Sequence, residues 1–158
     1  QKVAYIPQVH ETAFGYLVKD IVLMGRMPYK SVFSNYNKED KKIVIKALEV
    51  LGILHLQDEI YTTLSGGQKQ LIALTRMIVA NKKIILLDEP TASMDEGTER
   101  QIISMLHQKL SPDQTMVVVT HKPIVLNMVD RIIVLTPNGI AVDGTKEEVL
   151  AKLTPKKQ

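Results

Sequence analysis

Apolar positions along this chain change their period several times, and the changes outline its elements. Lys2–Ile6 alternates weakly and meets Pro7, a short strand closing at Gln8. Residues 9–36 are mixed, with Gly15, Gly25, Pro28 and several Ser, Asn and Tyr, and hold one short helix near Leu17–Met24. Asn37 with Asp40 three positions on reads as an N-cap with a first-turn carboxylate. Val44, Ala47, Leu48 and Leu51 then fall at helical spacing until Gly52 marks an end. Ser65 and Gln68 form a capping pattern, S-x-x-Q, and Leu71, Leu74, Thr75, Ile78 and Val79 continue that helix to Asn81. Ile84–Leu87 is an unbroken apolar run, as expected of a strand buried on both faces. A helix with Ile102, Ile103, Leu106 and Leu110 follows, and Ser111-Pro112-Asp113 turns the chain. Thr115–Thr120 and Arg131–Leu135 read as further strands, and Pro137-Asn138-Gly139 as a tight turn into a short strand, Ile140–Val142. Thr145 and Glu148 open a last helix to Leu153.

Strands alternating with helices predict an α/β fold with a parallel sheet covered on both faces. Composition narrows the class without changing that picture. The 158 residues are 45% hydrophobic and 23% charged, an ordinary globular balance that supports one domain with a sizeable core. No apolar run approaches the roughly 20 residues of a membrane helix. Cysteine is absent, which excludes disulfides and thiolate metal sites. The net charge of +3 comes from scattered Lys and Arg, a solvated surface rather than a nucleic-acid footprint. The first residues read Gln-Lys-Val-Ala-Tyr, strand-like and without a Met start, so the chain is expected to be the interior of a longer protein.

Four places carry candidate chemistry. At Ser65-Gly66-Gly67-Gln68, two glycines at a helix start let backbone approach a ligand closely, and the first N–H groups of a helix attract phosphate. Read alone, S-x-x-Q is also an ordinary helix cap. Asp88-Glu89 closes an apolar strand at its carboxyl end, where ligands sit in open α/β sheets. One acid there suits a hard cation, and a second can polarise a water. Asp95 caps the next helix, and His121 follows the apolar run Val117-Val118-Val119-Thr120. His10, His55 and His107 lack such a context and read as surface or packing residues.

Leu64–Gln68, Ile84–Thr91, Ala92–Asp95 and His121, in this order, resemble the second half of an ABC-type ATPase, and the resemblance runs over about residues 1–153. Leu-Ser-Gly-Gly-Gln matches that family's signature motif without a change, and Ile-Ile-Leu-Leu-Asp-Glu-Pro-Thr resembles its Walker B segment. The resemblance implies that Asp88 supports Mg2+ through water, that Glu89 is the catalytic base and that His121 is the switch histidine at the γ-phosphate. Ala92-Ser93-Met94-Asp95 resembles the D-loop that crosses a dimer interface, with Met94 where the family usually has Leu. A glutamine at the place of Gln8 touches Mg2+ and the attacking water in this family. The implied fold is a P-loop NTPase-type parallel sheet with an inserted helical subdomain. Residues 1–8 and 63–153 would form part of a RecA-like ATPase core, 9–62 the helical signature subdomain and 154–158 a tail.

The same resemblance demands an adenine-stacking aromatic and a P-loop upstream. No G-x-x-x-x-G-K-[ST] segment occurs in these residues, so the sheet is expected to be incomplete, with apolar surface open beside the strands at 115–120 and 131–135. Alone, the chain should then bind ATP poorly and hydrolyse it little. The implied ligands are ATP and Mg2+. The implied partners are a transmembrane permease and a second nucleotide-binding domain in a head-to-tail dimer, at the cytoplasmic face of a prokaryotic membrane, with no nucleic acid. Val22-Leu23-Met24-Gly25-Arg26 and Leu51–Leu56 look like metal-chelate importers for iron-siderophores, cobalamin or related cargo. The stretch from Lys122 to Arg131 looks more like protein or peptide exporters. Import is the expected direction. An exporter domain, a fragment or chimera, and a soluble ABC ATPase of translation or DNA repair are the alternatives.

Overall fold

Strands β1 (Val3–Ile6), β2 (Ile84–Asp88) and β3 (Thr115–Val119) form a parallel sheet in that order, in a computed structural model that describes residues 3–6, 15–29 and 35–153. The register sets Val3 beside Ile84 and Ile84 beside Thr115, and ends with Asp88 beside Val119. Neighbours in register share a face and successive residues alternate. Ile85 and Leu87 therefore lie on one face with Met116 and Val118, and the core forms there, with Ile72, Leu74, Ile102 and Leu106 buried among them. On the other face Ile84, Val117 and Val119 remain 38%, 49% and 58% exposed. Ile84–Leu87 is thus covered on one face rather than two, because the buried helical side chains gather on the Ile85 side.

The helices follow their local signals. Helix α1 (Val18–Leu23) runs into a 3₁₀ turn, Met24–Tyr29. Helix α2 (Lys38–Val50) starts at a capping box in which Asn37 and Asp40 exchange backbone-to-side-chain hydrogen bonds of 2.8 and 3.1 Å. Helix α3 (Gly66–Ala80) starts at the Ser65–Gln68 box and ends on Asn81 at φ 41°, a left-handed cap. Helices α1, α2 and α3 pack on one another, and Val18, Val22, Leu48 and Ile72 are fully buried among them. The 3₁₀ turn is locked onto the end of α3. Arg26 donates to the Val79 carbonyl (2.9 Å) and pairs with Asp40 (3.2 Å), while the Tyr29 hydroxyl donates to the carbonyls of Ala80 (2.6 Å) and Asn81 (3.0 Å). Gly25 permits this approach, since a Cβ there would stand 2.5 Å from the Arg76 carbonyl oxygen.

Helix α4 (Glu96–Lys109) leads from the sheet's carboxyl end back towards β3. Strands β4 (Arg131–Thr136) and β5 (Gly139–Thr145) form a separate antiparallel ribbon, closed by α5 (Lys146–Leu153). β5 is longer than the expected Ile140–Val142, because pairing continues to Arg131 opposite Thr145 and Arg131 forks onto Asp143 with two 2.8 Å bonds. Among the described residues β3 pairs with β2 and β4 with β5, and the two sheets share no ladder.

Candidate functional site

The parallel register brings the ends of β2 and β3 side by side, so residues that leave those strands meet. Glu89 takes φ 45°, a left-handed conformation that costs a non-glycine residue about 1 kcal/mol or more and is found chiefly where the surroundings impose it. Its N–H donates to the Val119 carbonyl (2.9 Å), which anchors the turn. Its carboxylate is then aimed at the start of the next loop. Oε1 accepts from the His121 N–H (3.1 Å) and lies 2.7 Å from His121 Nδ1, while Oε2 accepts from the Thr120 hydroxyl (3.2 Å). An ionised carboxylate only accepts, so Nδ1 carries the proton of this contact and Nε2 is left for another partner. The Glu89 side chain is 14% exposed and that of His121 78% exposed, a partly buried acid beneath an accessible ring.

The loop after Glu89 packs against the start of α3. A Cβ on Gly67 would stand 2.8 Å from the Ser93 carbonyl oxygen, and one on Gly66 would stand 3.4 Å from the Ser93 side chain. The glycines therefore admit Ser93. Ser65 and Gln68 bond to each other: the Gln68 N–H donates to Ser65 Oγ (3.3 Å) and the Ser65 N–H to Gln68 Oε1 (2.9 Å). That box uses the N–H groups of Ser65 and Gln68, not those of Gly66 and Gly67. Asp95 caps α4, accepting from the Thr98 N–H (3.0 Å) and hydroxyl (2.7 Å), and these bonds hold its carboxyl below the usual aspartate range. Asp88 ends β2 beside Val119, on the sheet face that stays open. Gln8 lies outside the described residues, as does His10, while His55 and His107 are exposed.

Three residues join this site without having been picked from the sequence. Gln70 fastens α3 to the loop after β2 at two points, donating from Nε2 to the Glu89 carbonyl (3.3 Å) and accepting from the Ser93 N–H (2.9 Å). A glutamine in the second turn of a helix has no distinguishing spacing, so only the tertiary contact selects it. Glu99 and Lys122 form an ion pair at 3.0 Å, with the Thr91 hydroxyl donating to the same Glu99 oxygen. Among the described residues no group of three or more His, Asp or Glu side chains could hold a metal ion. Asp88 and Glu89 fit a cation that arrives with most of its oxygen ligands supplied by phosphates and water, as Mg2+ does.

The sequence model of the family described as ABC transporter matches residues 1–92. The chain is 39% identical over 124 residues to the molybdate import ATP-binding protein MolC of Haemophilus influenzae, covering 78% of this chain and 49% of that protein. It is 32% identical over 154 residues to the manganese transport system ATP-binding protein MntA of Synechocystis, covering 96% and 59%. A solved structure described as the inward-facing conformation of a metal-chelate type ABC transporter superposes with a TM-score of 0.83 at 34% identity, over 95% of this chain and 60% of that one. The chain spans about half the length of the curated relatives it matches, 49% and 59% for these two.

Proposed function

This chain belongs to the ABC transporter family, and on that premise we propose that it is the part of an importer's ATP-hydrolysing cassette that carries the signature helix, the hydrolytic carboxylate and the switch histidine. The observation that carries this reading is the Glu89–His121 contact at the carboxyl ends of adjacent parallel strands. When bound, Mg-ATP supplies the phosphoanhydride to be split and the phosphate oxygens that complete the cation's shell. Asp88, with Gln8 as the family resemblance implies, would hold that cation. The Glu89 carboxylate takes a proton from the attacking water. His121 fixes that carboxylate through Nδ1 and offers Nε2 to a phosphate oxygen. Catalysis of this kind rests on positioning and charge stabilisation, which suits a base whose direction is set by a constrained backbone.

Ser65, Gly66, Gly67 and Gln68 of one cassette face the nucleotide of a second copy in a head-to-tail dimer, and Asp95 stands at the same interface. Residues 1–8 and 63–153 belong to the ATPase core, and 9–62 form the helical subdomain that meets a permease. Among the described residues no helix is long and apolar enough to cross a membrane; the family likeness is what supports a place at the cytoplasmic face of a membrane beside a permease. These 158 residues contain no phosphate-cradling G-x-x-x-x-G-K segment, so alone they bind ATP weakly and turn it over little. Relatives aligned over almost the whole chain support import over export. MntA is named for manganese transport, and HmuV of Plesiomonas shigelloides, matched over 95% of this chain, for hemin import. The cargo proposed is a metal ion, oxyanion or chelate.

The test is Glu89→Gln in the complete ATPase. Turnover should fall by about 100-fold or more while ATP binding persists, since a positioned general base contributes about 10²–10⁴. Wild-type turnover in the variant would remove Glu89 from the mechanism.

A further inference from the structure

The His121 side chain is 78% exposed, yet its ring meets Glu89 at 2.7 Å. An exposed imidazole on a loop keeps such a contact only if the loop itself is held. The next residue supplies the hold. The Lys122 N–H donates to the Thr120 hydroxyl (3.1 Å), which in turn donates to Glu89 Oε2 (3.2 Å). The Lys122 ammonium donates to the Thr91 carbonyl (2.8 Å) and pairs with Glu99 Oε1 (3.0 Å). Lys122 therefore spans the same two loops as the Glu89–His121 contact, one residue beyond His121 and two residues beyond Glu89. Glu99 is 5% exposed and Thr91 1% exposed, so this second span is buried where the first is open. A buried carboxylate without a cation is costly, which draws Lys122 inward.

We propose that Lys122 and Glu99 are positioning residues for the Glu89–His121 pair, clamping the loop after β2 to the loop after β3. Glu99 belongs to α4, the helix that Asp95 caps, so the clamp also ties the turn bearing His121 to the segment that leads into α4. The catalytic consequence rests on the ATPase reading above, but the positioning itself does not.

The experiment compares Lys122→Met, Lys122→Arg and the double variant Lys122→Met with Glu99→Gln in the complete ATPase. It reads kcat and KM for ATP, thermal stability and the ring resonances of His121. In Lys122→Met, kcat should fall about tenfold to 100-fold with KM nearly unchanged, as expected of a misplaced catalytic group. The His121 resonances should move. Lys122→Arg should return both towards the wild type. The double variant leaves no lone buried charge, so it should regain thermal stability without regaining kcat. Unmoved His121 resonances in Lys122→Met, or a double variant that regains kcat along with stability, would overturn the positioning role. If the wild-type protein hydrolyses no ATP, the ATPase reading fails, and the His121 resonances still decide the clamp.

Discussion

The bundle of α1, α2 and α3 and the β4–β5 ribbon treat their apolar residues in opposite ways. In the bundle Val18, Val22, Leu48 and Ile72 are fully buried where α1, α2 and α3 pack on one another. In the ribbon Ile133 and Ile140 are more than half exposed and Leu135 is 71% exposed. The open face of β1–β2–β3 resembles the ribbon, with Val117 and Val119 in solvent. Helices that pack against one another complete their own burial. A sheet has two faces, and among the described residues only one of them is filled. The difference places most of the hydrophobic stabilisation in the bundle, while the site residues stand on the sheet's rim.

The largest expected effect tests the bundle. Leu48→Ala should destabilise the full chain by about 3 kcal/mol in denaturant unfolding, the loss typical of a fully buried leucine. A loss below about 1 kcal/mol would show that the bundle is not where the stability lies. Gly25→Ala comes next. Its Cβ would meet the Arg76 carbonyl at 2.5 Å and Val79 Cγ2 at 2.6 Å, forcing the 3₁₀ turn off α3. About 2 kcal/mol should be lost to this overpacking, with the Tyr29 hydroxyl released from its carbonyls as the spectroscopic mark. The smallest effect sharpens the contrast from the other side. Ile133→Thr replaces an exposed, β-branched residue by another and should change stability by less than about 0.5 kcal/mol. A core-sized loss there would mean that the ribbon face is covered in solution.

Much of the fold was legible because its signals are local. The Asn37–Asp40, Ser65–Gln68 and Thr145–Glu148 pairs each satisfy backbone groups three residues apart, and all three form. The α/β order was legible from period changes. The burial of β2 was misread, since an apolar run records how many faces could be buried, not how many are. At the site, residue types at strand ends singled out Asp88, Glu89 and His121, and at Ser65–Gln68 the capping box forms as its spacing predicts while Ser93 packs against Gly67. Gln70, Glu99 and Lys122 carried no signal, because the contacts of Gln70 with Glu89 and Ser93 and of the Lys122 ammonium with Thr91 and Glu99 span 19 to 31 residues and nothing in their neighbours marks them.

The sequence by itself determined where helices begin and end, which strand closes on two acids and which family the chain belongs to, because capping, periodicity and short motifs act within a few residues. Only the tertiary structure decided that Glu89 and His121 meet, that Gly67 makes room for Ser93 and that Lys122 is drawn onto Glu99. Those outcomes depend on parallel register and on the cost of burying a charge alone, and neither quantity exists until distant segments are packed together.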